Sequence, residues 1–143
     1  MILEIGNFTE KLVLSEFKLT STIDSFKTEG PPVFLSTKIT VYLPQFHLTI
    51  NSYITLEDLK CLKIDISKII NGSSNQLYFE NIDRNIIFQM SIIPSGQLTI
   101  FGQIFNSNKS ADLHFEIESE RKYLDLMIER LGIIITEFDA MLK

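Results

Sequence analysis

Residues 113–124 read Leu113-His114-Phe115-Glu116-Ile117-Glu118-Ser119-Glu120-Arg121-Lys122-Tyr123-Leu124, and the spacing of apolar residues changes inside this stretch. Leu113, Phe115 and Ile117 recur at every second residue, the period of a strand with one buried face. From there on, Tyr123, Leu124, Met127, Ile128, Leu131, Ile134, Ile135, Phe138, Met141 and Leu142 form one stripe of a helix turning 100° per residue. Ser119 is the natural N-cap, and Glu120 suits the positive end of the helix dipole. A helix is therefore expected over about 120–142. The β-branched run Ile133-Ile134-Ile135-Thr136 opposes it, but the stripe stays in phase to Leu142.

Working back from this junction, alternation recurs in Leu98, Ile100, Gly102 and Ile104, in Ile86, Phe88, Met90 and Ile92, and in Leu77 and Phe79. The intervening segments are Asn106-Ser107-Asn108-Lys109, Pro94-Ser95-Gly96 and Asn81-Ile82-Asp83-Arg84-Asn85. Each is turn chemistry, because Pro presets φ, Gly permits positive φ and Asn bonds its own backbone. Four strands joined in this way predict an antiparallel meander. Upstream, Leu56, Leu59, Leu62, Ile66, Ile69 and Ile70 share one helical face, opened by the capping-box pattern Thr55…Asp58 and stopped by Asn71-Gly72. Before that helix, Ile39, Val41 and Leu43 alternate, and the pattern resumes after Pro44-Gln45 with Phe46, Leu48 and Ile50, which reads as a hairpin. The fold class is α+β: an antiparallel sheet or meander with two packed helices, about 56–70 and 120–142. Thr28-Glu29-Gly30-Pro31-Pro32 is expected to be a long loop inside one domain spanning 1–143, and no internal repeat is visible.

Hydrophobic residues make up 45% of the 143 and charged residues 22%, which suits a globular core and argues against disorder. No apolar run is long enough to span a bilayer. Met1 to Gly6 has no basic residue and is interrupted by Glu4, so no signal peptide is expected, and Cys61 stands alone without a disulfide partner; a cytoplasmic location follows. The net charge of −5 is uneven. Residues 1–109 carry 9 basic and 10 acidic side chains, and residues 110–143 carry 4 and 8. Such a balance disfavours a nucleic-acid partner and favours a basic protein.

Catalytic chemistry is not in view. His47 and His114 are the only imidazoles, each opposite the apolar set of its strand. Asp112, His114 and Glu116 share a strand face, which makes a metal site conceivable, but a solvated polar face explains them better. Cys61 lies on the polar side of its helix with no histidine near in sequence, and a nucleophile needs a base. No Gly-rich phosphate loop, G-x-S-x-G, H-E-x-x-H or C-x-x-C occurs. The expectation is a non-enzymatic protein with no catalytic residue, metal or cofactor. Binding features are the acidic set Glu116, Glu118 and Glu120, and the apolar Leu126 and Ile133 on the back of the second helix. These five are the candidate partner-contact residues.

Three stretches in order resemble the WapI-type immunity proteins, bacterial antitoxins of polymorphic toxins. They are Thr55-Leu56-Glu57-Asp58-Leu59, Gly96-Gln97-Leu98-Thr99-Ile100-Phe101-Gly102, and the opening stretch Leu113 to Leu124; together they cover roughly residues 37–135. The resemblance implies stoichiometric binding of a cognate toxin domain, commonly a nuclease, by occlusion. A carrier of a small apolar ligand, or an uncharacterised enzyme using the His114 face, are the alternatives.

Overall fold

Alternation over residues 76–120 becomes four strands, and a second set of four precedes them. The computed structural model describes residues 1–20, 33–106, 110 and 112–142. In chain order it has β1 Ile2–Gly6, β2 Lys11–Leu19, β3 Phe34–Leu43, β4 Phe46–Thr55, α1 Leu56–Ile70, β5 Gln76–Glu80, β6 Ile86–Ile92, β7 Gln97–Phe105, β8 Asp112–Glu120 and α2 Lys122–Met141. Strands β1–β4 form one four-stranded antiparallel meander and β5–β8 another, so the α+β class is borne out. The element order repeats, four strands and a helix twice, although no repeat is visible in the residues.

The inward sets of both sheets and the stripes of both helices join one buried cluster. Leu56, Leu59, Leu62, Ile66 and Ile69 of α1 are buried, as are Leu124, Met127, Leu131, Ile134 and Phe138 of α2. The helices pack on each other, α2 also on β1 of the first sheet and α1 on β5 of the second. Each such side chain contributes about 1.5–3 kcal/mol relative to exposure. Phe79 and Phe88, cross-strand partners, stack with ring centroids 5.0 Å apart. Gly102 has a steric rather than a conformational reason: a Cβ there would lie 2.1 Å from the Phe115 ring on the neighbouring strand.

The two sheets are stitched by side chains at both ends. Asn7 Nδ2 donates to the Glu118 carbonyl (2.6 Å), and Ser119 Oγ donates to the Gly6 carbonyl (2.5 Å), tying β1 to β8. At the other end the buried Asn81 donates from Nδ2 to Ser52 Oγ (3.1 Å) and the Tyr53 carbonyl (2.9 Å) of β4. Its Oδ1 accepts from the Asn85 and Ile86 amides at 3.0 and 3.1 Å, closing the β5–β6 turn. Buried backbone groups need such partners.

Several expectations are corrected. Ser119 is not a helix cap: it is a buried residue of β8, Glu120 ends that strand, and α2 begins at Lys122 without a side-chain cap. Met141 and Leu142, placed on the buried stripe, are 60% and 47% exposed at the end of the helix, past Phe138, the last buried residue of α2. Phe46, part of the apolar alternation, is 53% exposed at the turn end of the β3–β4 hairpin. Strands β1 and β2 were not marked by alternation, since Leu12-Val13-Leu14 are all buried and a bulge at Glu16 (φ 53°) shifts the register between Ser15 and Lys18. The expected loop Thr28 to Pro32 and part of the turn 106–109 lie outside the described residues.

No helix among the described residues is long and apolar enough to cross a membrane.

Candidate functional site

The pleat that buries Phe115, Ile117 and Ser119 sends Asp112, His114, Glu116, Glu118 and Glu120 to the other side of β8, and all five are exposed. Registers carry this outer face across the sheet. Glu116 lies beside Phe101, Phe101 beside Gln89, and Gln89 beside Tyr78. The next row is Glu118, Thr99, Ser91 and Gln76. The acidic candidates Glu116, Glu118 and Glu120 are thus brought together on one face. Strands β5–β8 hold the carboxylates Glu80, Asp112, Glu116, Glu118 and Glu120 and not one Lys or Arg.

Their charges are not equally free. Glu120 Oε2 meets Lys122 Nζ at 3.1 Å, and that hydrogen bond, then the same carboxylate's field, raises the lysine pKa above its ordinary value. Glu80 meets Arg84 Nε at 3.5 Å. Asp112 Oδ1 accepts from Gln103 Nε2 at 3.0 Å and lies 3.6 Å from His114 Nε2. Among the described residues Glu116 and Glu118 enter no ion pair. They are therefore the strongest sources of outward negative field on the sheet.

Two aromatic side chains stand on the same face. Tyr78 is 60% exposed and Phe101 52%. Tyr78 Oη donates to Glu80 Oε2 at 3.2 Å, and partial desolvation, then the Glu80 carboxylate, raises the phenol pKa. Neither aromatic is among the candidates picked from sequence. The available signal was their phase, out of step with Leu77, Phe79, Leu98 and Ile100.

Where β8 runs into α2, an open groove of about 640 Å³ is lined by Asn7, Gly96, Glu118, Glu120, Arg121 and Tyr123 among others. Phe8, 83% exposed, meets the Tyr123 ring edge-on at 5.9 Å. Arg121 forms the wall between this groove and a second one, and its Nη2 donates to the Ile70 carbonyl at the end of α1. Leu126 and Ile133 are exposed on α2, opposite its buried stripe and on a different element from the acidic set.

The groups weighed for chemistry remain dispersed. Cys61 and His47 are exposed on α1 and β4, and His47 packs its ring against Tyr42 at 5.6 Å. Among the described residues no three His, Cys, Asp or Glu side chains converge as a metal-ligand set.

Residues 16–139 match the model of a family described as the immunity protein WapI-like family. The sequence matches no curated protein. The fold is similar to that of the plant transcriptional regulator PBF-2, at 10% identity over 94% of this chain and 80% of that one, with a TM-score of 0.47. It is also similar to MRP1/MRP2 of Trypanosoma bruciei (8% identity, 100% and 87% covered, TM-score 0.48) and to WHY1 of Arabidopsis thaliana (11%, 94% and 88%, 0.46). These are likenesses of backbone arrangement alone.

Proposed function

This chain belongs to the immunity protein WapI-like family, and from that premise we propose that it binds one cognate toxin domain, one to one, and neutralises it by covering its working surface. The family match over residues 16–139 carries this reading. The toxin is a protein with a basic surface, as a nuclease has around its phosphate-binding centre, and the encounter takes place in the cytoplasm. No catalysis by this chain, and no metal or cofactor, enters the reading. Occlusion needs only a complementary surface with a slow off-rate.

Glu116, Glu118 and Glu120 supply the attraction that steers a basic partner in, while Leu126 and Ile133 offer a second, apolar contact on α2. Steering raises association rates by roughly 10- to 1000-fold at low salt, whereas a single exposed ion pair contributes only about 0.2–1 kcal/mol. The acidic set therefore acts mainly on the rate of encounter.

The test is co-expression with any toxin domain whose gene adjoins that of this chain, followed by calorimetric titration of the purified pair. Cell survival and a stoichiometry of one are expected. Survival without binding, or binding without protection, would sink the occlusion reading.

A further inference from the structure

The outer face of β5–β8 has a composition that the solvated side of a sheet rarely has. Its central cross-strand row is Tyr78, Gln89, Phe101 and Glu116. Tyr78 and Phe101 stand two strands apart, about 10 Å at the usual strand spacing, with only the neutral Gln89 between them. Aromatic residues are enriched at the cores of protein interfaces and lysine is depleted there. Tyr78 on the edge strand β5 and Phe101 on β7 match the aromatic part of that pattern, and the four strands carry no Lys; the carboxylates, on β8 apart from Glu80 on β5, flank the aromatic pair. The side chains at positions 112 to 120 of β8 form a column about 27 Å long at 3.4 Å per residue.

Charge identifies the occupant. Nucleic acid and anionic lipid are repelled by this face, because Glu116 and Glu118 enter no ion pair among the described residues while Arg84 and Lys122 beside it are engaged by Glu80 and Glu120. A second copy docked face to face would set carboxylates against carboxylates, and like charges across an interface are costly. A protein with a basic surface and an apolar patch to receive two rings is complementary on both counts. We propose that this face, centred on Tyr78 and Phe101, is the surface on which the toxin docks, with Glu116 and Glu118 at its edge receiving cationic side chains. The proposal rests on the immunity reading above and adds to it the location and the anchoring residues.

The experiment measures binding kinetics between the full chain and the adjacent-gene toxin domain, inactivated at its own active site, for three forms of the chain. These are the wild type, the double variant Tyr78→Ser/Phe101→Ser, and the control Tyr42→Ser/Tyr53→Ser on the outer face of the first sheet, where both tyrosines are also exposed. The Tyr78/Phe101 variant should bind at least about 30-fold more weakly, mainly through faster dissociation, as removal of interface anchors does. The control should stay within about 3-fold, because surface changes away from a contact are nearly neutral. Cross-saturation from the toxin to the wild-type chain, read by NMR, should reach Tyr78 and Phe101, and it reports even if the variant fails to fold.

Wild-type binding that survives the Tyr78/Phe101 change, or saturation that appears on the first sheet or α2 instead, overturns this surface and leaves the immunity reading standing. Failure of the wild type to bind or protect overturns both. Two further results would also overturn the proposal. One is micromolar binding of a DNA or RNA oligomer that the double variant abolishes. The other is self-association of the chain that the double variant abolishes.

Discussion

The two halves of this chain, residues 2–70 and 76–141, use the same order of elements but carry different charge on their strands. Strands β1–β4 carry Lys11, Lys18 and Lys38 against Glu4 and Glu16, and two of these are cross-strand pairs, Lys11–Glu4 at 3.3 Å and Lys38–Glu16 at 3.5 Å. Strands β5–β8 carry five carboxylates and no Lys or Arg. Inward residues of the two sheets do the same work in one core. The comparison teaches that the inward phase of each strand sets the architecture, while the outward phase is free to specialise. One sheet neutralises its own charge, and the other leaves Glu116 and Glu118 unspent.

The largest effect should come where the halves are equivalent. Leu59 of α1 and Leu124 of α2 are both fully buried, and changing either to Ala should cost about 2–5 kcal/mol, read from the denaturation midpoint. A small effect at one site alone would break the equivalence of the two helices.

The seams between the sheets should differ. Asn81→Ala strands the amides of Asn85 and Ile86 in a buried turn, at about 1–3 kcal/mol for each unsatisfied group. Asn7→Ala removes the exposed bond to the Glu118 carbonyl and three short-range bonds that Asn7 Oδ1 accepts from Thr9 and Glu10, which water can replace, so the loss should stay at about 0.5–1.5 kcal/mol. Equal losses would mean that water does not replace the bond at Asn7.

The acidic contrast is kinetic. Glu116, Glu118 and Glu120 changed together to Gln should slow toxin association about 10-fold at low salt and flatten its salt dependence, with dissociation much less altered. Stopped-flow mixing across a salt series measures this. Removing Lys11 and Lys38 from the first sheet should leave the rate unchanged; a comparable gain there, since their loss makes the chain more negative, would mean that net charge, not the second sheet, steers. Because Glu120 is already engaged by Lys122, restoring Glu116 and Glu118 alone should recover most of the rate.

The smallest effect belongs to the residues that sequence weighed for chemistry. Changing His47, His114 and Cys61 together should shift stability by no more than about 0.5 kcal/mol per exposed site and leave protection intact. Loss of protection in a folded variant would revive the metal or catalytic alternative.

The second half was legible because its alternation is uninterrupted and its turns are built from Asn, Pro and Gly. The β5–β8 meander follows from that pattern; both helical stripes, including that of α1 in the first half, follow from the 3.6-residue period, and the capping box at Thr55 is present, with Thr55 Oγ1 and the Asp58 carboxylate each bonding the other's backbone amide. The first half was less legible. Its first two strands combine an all-buried run with a bulge, so neither the strand period nor the helix period dominates there. The family resemblance was readable from three stretches and is matched by residues 16–139.

By itself, then, the sequence determined which residues turn inward, because periods of 2 and 3.6 residues are local consequences of backbone geometry. It also placed Glu116 and Glu118 on one strand face, while Glu120, expected in the helix, joins that face only in the structure. Tertiary structure decided what no local period encodes. It divided the strands into two sheets joined by Asn7, Ser119 and Asn81, and it drew Ser119 out of a helix cap and into the β1–β8 seam. It also set Tyr78 and Phe101 in one row with Glu116. Those relations depend on cross-strand register between segments far apart in the chain, and register is chosen by the packing of the whole inward face rather than by the residues that end up outside it.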